Sequence, residues 1–188
     1  MQPHERAQWV SATVERHERS LVLYAHRLLG DPERARDIVQ ETFLRLCRQE
    51  RAGVDDHLRA WLFTVCRNLV MDEFRRRKDV SPDSEALLNG QVSPDPSPAQ
   101  VIESRDSAAT ALEALERLPP REREVVHLRY RGELTYREIA AVTGHSVSYV
   151  GVLLYTAMKR LRGMLGATLQ ADAALSTRPS TTTQGAIR

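Results

Sequence analysis

"TYREIAAVTGHSVSYVGVLLYTAMKRL", residues Thr135 to Leu161, has the spacing of a helix-turn-helix. Thr135 is an N-cap, and Glu138 stands three residues on, as a capping box requires. Ile139 and Ala140 lie inside the first helix, where a small residue lets two helices approach. Gly144 supplies the tight turn, and Ser146 caps the helix that follows. At ~100° per residue, Val147, Val150, Leu154, Ala157, Met158 and Leu161 fall on the inward side of that helix. Ser148, Val152, Tyr155, Thr156 and Lys159 fall opposite, with Tyr149 on the flank. Lys159 is the one cation among them. An αα-hairpin with no nucleic-acid role shares this spacing. The motif favours DNA binding over that plainer reading.

Working back along the chain, "REREVVHLRYRG" reads as a helix stopped by Gly132, with Pro119 and Pro120 closing the helix before it. The stretch "DVSPDSEALLNGQVSPDPSPAQ" carries Pro82, Pro94, Pro96 and Pro98 among Ser and Asp, the composition of a linker. Before it stand three helices. The first runs from about Trp9 to Gly30. The second opens at Asp31-Pro32, an N-cap followed by proline at the first helical position. Its buried stripe is Ala35, Ile38, Val39, Thr42, Phe43 and Leu46. "RAGVDDHL" reads as a loop. The third helix, "RAWLFTVCRNLVMDEFRRRK", turns Leu62, Val65, Cys66, Leu69 and Val70 inward and ends in four cations, which suit a helix C-terminus. The expected fold is all-α: two small helical domains joined by a flexible linker, the second with the helix-turn-helix. Residues 1–78 form one domain, 79–107 the acidic linker, 108–165 the second domain and 166–188 a disordered tail.

The formal net charge of +2 hides its distribution. Residues 1–78 carry 15 Lys/Arg against 12 Asp/Glu, residues 79–107 carry 1 against 6, and residues 108–162 carry 9 against 6. Two basic blocks flank an acidic one, a pattern that hints at a nucleic-acid partner. Cys47 and Cys66 stand outside any CxxC and read as small core residues, not as a disulfide framework or zinc site. No phosphate-binding glycine loop, metal-ligand spacing or nucleophile elbow appears, so no catalytic or metal residues and no cofactor are expected. No apolar run reaches a membrane span, and the N-terminus lacks a signal-peptide stretch. The expected location is the cytoplasm, without membrane insertion.

The whole pattern resembles an extracytoplasmic-function (ECF) sigma factor. "LPPREREVVHLRYRGELTYREIAAVTGHSVSYVGVLLYTAMKRLR" is similar to the second domain of that family. "LLGDPERARDIVQETFLRLCR" resembles the helix pair that grips the clamp helices of RNA polymerase. "LRAWLFTVCRNLVMDEFRRRK" resembles the promoter-melting helix. The resemblance implies a transcription initiation factor, not an enzyme, with core RNA polymerase and promoter DNA as partners and an anti-sigma factor as a candidate third. It implies polymerase binding through Asp37, Gln40, Glu41 and Leu44, spaced along one side of their helix. Asn68 matches the position beside the pocket for a flipped base of the −10 element, and the loop Gly53 to His57 helps form that pocket. The same resemblance implies phosphate contacts from Arg67, Arg75, Arg76 and Arg77. The linker is implied to thread toward the RNA exit path; a generic acidic spacer has the same composition.

The last helix departs from the family pattern. Typical members carry basic residues where this chain has Gly151, Leu153 and Thr156. Three readings stay open. The −35 contact can rest on the helix N-terminus, with His145, Ser146, Ser148 and Tyr149 around it and Val152 meeting a thymine methyl. Cations elsewhere can supply affinity: Arg129, Arg131 and Arg137 before the helix, Lys159, Arg160 and Arg162 at its end. Or the apolar surface at Val152, Leu153 and Tyr155 binds protein. The first two together are preferred. A helix-turn-helix regulator, or an interaction module that never joins polymerase, is the alternative.

Overall fold

A computed structural model describes residues 3–80 and 104–176, and every regular element among them is helical. The order is α1 (Pro3–Leu29), α2 (Pro32–Cys47), α3 (Arg51–Val54), a 3-10 turn (Asp55–His57) and α4 (Leu58–Val80). It continues with α5 (Ser104–Glu116), α6 (Pro120–Tyr130), α7 (Tyr136–Thr143) and α8 (Val147–Ser176). The expected loop "RAGVDDHL" is thus two short helical turns leading into α4. α8 runs on into the segment expected as tail, and residues 177–188 lie outside the described residues. Most of the acidic linker, residues 81–103, also lies outside them.

The N-terminal half is an α1–α2–α4 bundle. Asp31 caps α2 as its sequence predicts: its carboxylate accepts from Glu33 N (3.0 Å) and Arg34 N (3.1 Å). Those hydrogen bonds hold the Asp31 carboxyl below the usual carboxylate range. Ala35, Val39, Thr42, Phe43 and Leu46 are buried, and Ile38 packs at the edge. In α4, Leu62, Phe63, Cys66, Leu69 and Val70 are buried, while Val65 is only half-buried. Burial pushes the Cys66 thiol up to about 12, so it is an inert core group. Cys47, expected in the core, is exposed: it is the last residue of α2 and lies at the rim of the groove between α1 and α2.

The C-terminal half packs α8 against α5, α6 and α7. The two halves do not stand apart. α7 lies along α4, and buried residues of both belong to one apolar cluster. Gly132, after α6, meets the Phe63 ring: a Cβ there would lie 2.7 Å from the Leu128 carbonyl oxygen and 3.1 Å from Phe63 Cζ. Only a residue without a side chain fits this crossing.

Polar contacts finish the seam. Tyr24 Oη donates to Glu124 Oε1 at 2.8 Å, and Arg67 Nε donates to the same oxygen at 2.9 Å. Arg59 pairs with Glu133 at 2.8 Å, and Arg27 with Glu116 at 3.3 Å. The Tyr24 ring stacks edge-on against Phe63 and tilts against His127, with centroids 5.3 and 5.6 Å apart. Burial pushes His127 down to about 4, with Arg27 adding to the effect. It is therefore neutral at neutral pH.

Candidate nucleic-acid interface

The helix-turn-helix forms as its caps dictate. Thr135 N donates to Glu138 Oε2 (2.7 Å), and Glu138 N donates back to Thr135 Oγ1 (3.3 Å). Gly144 takes φ +75°, a left-handed turn that costs glycine nothing, and its N–H closes on the Ala140 carbonyl at 2.9 Å. α7 and α8 then diverge by 103°, within the range of helix-turn-helix pairs. Ser146 Oγ accepts from Tyr149 N at 3.2 Å, and the His145 ring meets the Tyr149 ring edge-on with centroids 5.1 Å apart. His145, Ser146 and Tyr149 therefore gather at the positive end of α8.

The outward face of α8 carries Ser148, Val152, Tyr155 and Lys159, all exposed. Val152 is 55% and Tyr155 70% exposed. Thr156, expected with them, is only half-exposed, and its hydroxyl donates back to the carbonyl of Val152 (2.9 Å) or Leu153 (3.0 Å). Arg160 pairs with the buried carboxylate of Glu122 at 3.2 Å, so its charge is directed at α6. Two residues sit opposite to their expected faces. Leu153 is buried at 7%, because α5 and α6 as well as α7 cover α8 and widen its apolar arc. Val147 is 45% exposed, because α7 crosses α8 steeply and leaves its first turn open. The apolar surface expected at Val152, Leu153 and Tyr155 is thus reduced to Val152 and Tyr155.

Tyr136 escaped the sequence reading. It follows the capping Thr135, so it opens α7 on the surface, and it is exposed. The Arg129 guanidinium lies 5.6 Å from its ring centroid and donates to the Leu134 carbonyl at 2.9 Å. Gly151 of α8 faces the same ring. Its position directly after a capping threonine was the available signal, since a first-turn residue has no preceding turn to cover it.

On α4 the cations are largely engaged. Arg67 is half-buried against Glu124. Burial opposes its charge, but Glu124 outweighs this and its pKa lies above the ordinary arginine value. Arg75 pairs with Asp72, and Arg77 with Glu73 at 3.2 Å. Arg76 and Asn68 are exposed, and Arg76 forms no ion pair among the described residues.

The four residues expected to meet polymerase divide between two hollows. Gln40 and Leu44 border an apolar groove of about 420 Å³ between α1 and α2, with Leu44 48% exposed. Asp37 and Glu41 border a polar hollow of about 720 Å³ between α2 and α4, shared with Arg34, Glu73 and Arg76. Glu41 pairs with Arg45 at 3.1 Å. Among the described residues no group of three metal-ligating side chains converges, and no single helix is long and apolar enough to cross a membrane.

The Sigma-70 region 2 family model matches residues 13–80, and the Sigma-70, region 4 model matches residues 114–163. The ECF RNA polymerase sigma factor EcfG of Rhodopseudomonas palustris is 31% identical over 169 residues, 89% of this chain and 89% of that protein. The chain belongs to the ECF sigma factors. SigL of Mycobacterium tuberculosis is 33% identical over 80% of this chain and 85% of its own length. BldN of Streptomyces coelicolor is 36% identical over 76% of this chain, which spans 54% of BldN. In fold, the chain is similar to the sigma factor RpoE in its complex with the anti-sigma factor NepR from Bartonella quintana. The TM-score is 0.58 at 23% identity, covering 83% of this chain and 96% of that one. CnrH in complex with the cytosolic domain of CnrY is similar with a TM-score of 0.50 at 24% identity, covering 88% and 90%. As an ECF sigma factor, the chain is a transcription initiation factor that joins core RNA polymerase and directs it to promoters.

Proposed function

We propose that this sigma factor reads the −35 element with the N-terminus and outward face of α8. Ser148, Tyr149, Val152, Tyr155 and Lys159 make the contact, and His145 and Ser146 frame the free N–H groups for phosphate. The observation behind this is the exposed strip on α8 beyond a 103° turn. Arg129, steadied by Tyr136, adds a cation that α8 lacks. Arg160 acts on stability through Glu122.

The N-terminal domain, residues 1–78, binds the polymerase clamp through Asp37, Gln40, Glu41 and Leu44. It meets the −10 strand through Asn68 and Arg76, with Arg67, Arg75 and Arg77 joining when their carboxylate partners yield. Residues 79–107 link it to the −35 domain, residues 108–165, and residues 166–188 form a tail. The chain works in the cytoplasm and performs no chemistry of its own; RNA synthesis is the polymerase's. An anti-sigma factor is a partner of this chain, as NepR is of its structural neighbour.

The test is transcription reconstituted from core polymerase and this protein on genomic DNA, with the RNA 5′ ends sequenced. A shared two-part promoter motif is the expected result. Ser148→Ala with Tyr149→Ala lowers promoter-specific transcription about tenfold and spares polymerase binding. Unchanged promoter selectivity in that variant defeats the −35 assignment.

A further inference from the structure

The seam between the two halves holds a polar hollow of about 360 Å³. α1 contributes Arg16, His17 and Ser20, α4 contributes Arg59, and the turn after α6 contributes Arg131 and Glu133. Three guanidiniums and one carboxylate therefore line it. Arg59 is oriented by Glu133: its Nη1 lies 2.8 Å from the carboxylate as an ion pair and donates to the Glu133 carbonyl at 3.2 Å. Arg16 and Arg131 are exposed and form no ion pair among the described residues. His17 is only 8% exposed, stands on the wall of the hollow, and its ring makes no hydrogen bond among the described residues.

The excess positive field reaches the neighbouring groups. Burial, then Arg59 and Arg16, lower His17 below the ordinary histidine value. Arg131 likewise depresses Arg27 and His127, after the larger effect of burial. The wall of the hollow therefore carries more positive than negative charge, and an anion between the guanidiniums offsets their mutual repulsion.

We propose that this hollow is a binding site for a phosphate-bearing anion. Guanidinium forks approaching from separate helices suit the oxygens of a phosphate group, which each fork can bind in parallel pairs. A phosphate monoester carries about −1.5 to −2 near neutral pH, which matches the surplus of two cations. Neutral His17 offers one ring N–H to a further oxygen. The volume sits at the small end of the range of ligand cavities, about 300–1,000 Å³, and holds one or two phosphate groups with little else. Both halves line the hollow, so the occupant binds their packed arrangement and stabilises it by mass action. The phosphate comes from a free phosphorylated molecule or from a nucleic-acid backbone.

Inorganic pyrophosphate is the probe, titrated calorimetrically into the full chain at fixed ionic strength, with chloride as the control. Binding with a raised Tm is expected. Arg16→Ala with Arg131→Ala weakens it about tenfold or more, and Arg16→Lys with Arg131→Lys restores part of it. Arg121→Ala, an exposed arginine away from the hollow, leaves it unchanged. A 20-nucleotide single-stranded DNA of mixed sequence separates the sources: displacement of pyrophosphate assigns the site to backbone phosphate, and no displacement assigns it to a free ligand. Pyrophosphate binding no tighter than chloride overturns the proposal. So does an Arg121→Ala loss equal to that of the double variant, which would mark diffuse charge.

Discussion

The two surfaces proposed to face DNA in this sigma factor are opposites. α4 is rich in cations, yet Arg67, Arg75 and Arg77 are held by carboxylates, one of them from the other half of the molecule. The outward face of α8 is poor in cations, yet it is open, with Val152 and Tyr155 uncovered and Lys159 unopposed by an ion pair among the described residues. Charge on a surface is therefore not a measure of readiness to bind. An engaged arginine must exchange its carboxylate for a phosphate, and only the difference contributes to affinity. An exposed apolar strip contributes by contact with base edges and methyl groups, with no partner to displace.

Acid is the strongest lever on the seam that holds α4. His127 is neutral when packed against Tyr24, with a pKa near 4 against an ordinary 6.5. The unfolded chain binds a proton there that the folded chain refuses. The stabilising contribution is complete above pH 6.5 and is lost as the pH falls toward 4, roughly 3 kcal/mol at 1.36 kcal/mol per unit. Urea unfolding between pH 7 and pH 4 is expected to show this slope, and His127→Phe to flatten it. A slope unchanged in that variant removes His127 from the seam's energetics.

Val152→Asp with Tyr155→Asp tests the open face. Two carboxylates set against DNA phosphate are expected to lower −35-dependent transcription about a hundredfold. Polymerase binding is expected to persist, since neither residue touches α1 or α2. Retained transcription would mean that the strip faces something other than DNA.

Glu124→Gln probes the closed side. It keeps the shape but removes the charge that Arg67 and Tyr24 share, and is expected to cost about 1–2 kcal/mol by thermal unfolding. Single-stranded DNA binding by the free chain is expected to rise as Arg67 is released. Loss of stability with no gain in binding would confine Arg67 to a structural role.

The smallest effect separates two neighbouring cations. Lys159→Ala is expected to reduce the salt dependence of promoter binding by about one phosphate contact. Arg160→Ala leaves that slope alone and lowers stability instead, because it strips the partner from buried Glu122. Equal slopes in the two variants would erase the distinction between them.

Much of the molecule could be read locally. The Asp31-Pro32 start of α2, the Thr135–Glu138 box, the Gly144 turn and the Ser146 cap are interactions between residues two to four apart. Such interactions survive any tertiary arrangement, so the sequence alone determined the main helices, their order, the helix-turn-helix and the family, but not the two helical turns over 51–57 or the length of α8. The faces of α8 were read less well. A periodicity count assumes one neighbour along one side, whereas three helices cover α8, burying Leu153, and the steep crossing of α7 exposes Val147. Pairings across long separations carry no local signal at all. Arg67 with Glu124 and the hollow that gathers Arg16, Arg59 and Arg131 exist because two halves far apart in sequence pack together, and Arg160 with Glu122 because α8 folds back on α6 within one half. Tertiary structure alone decided which cations are engaged and which stand free, because a charge's partner is set by distance in space and its strength by the burial around it.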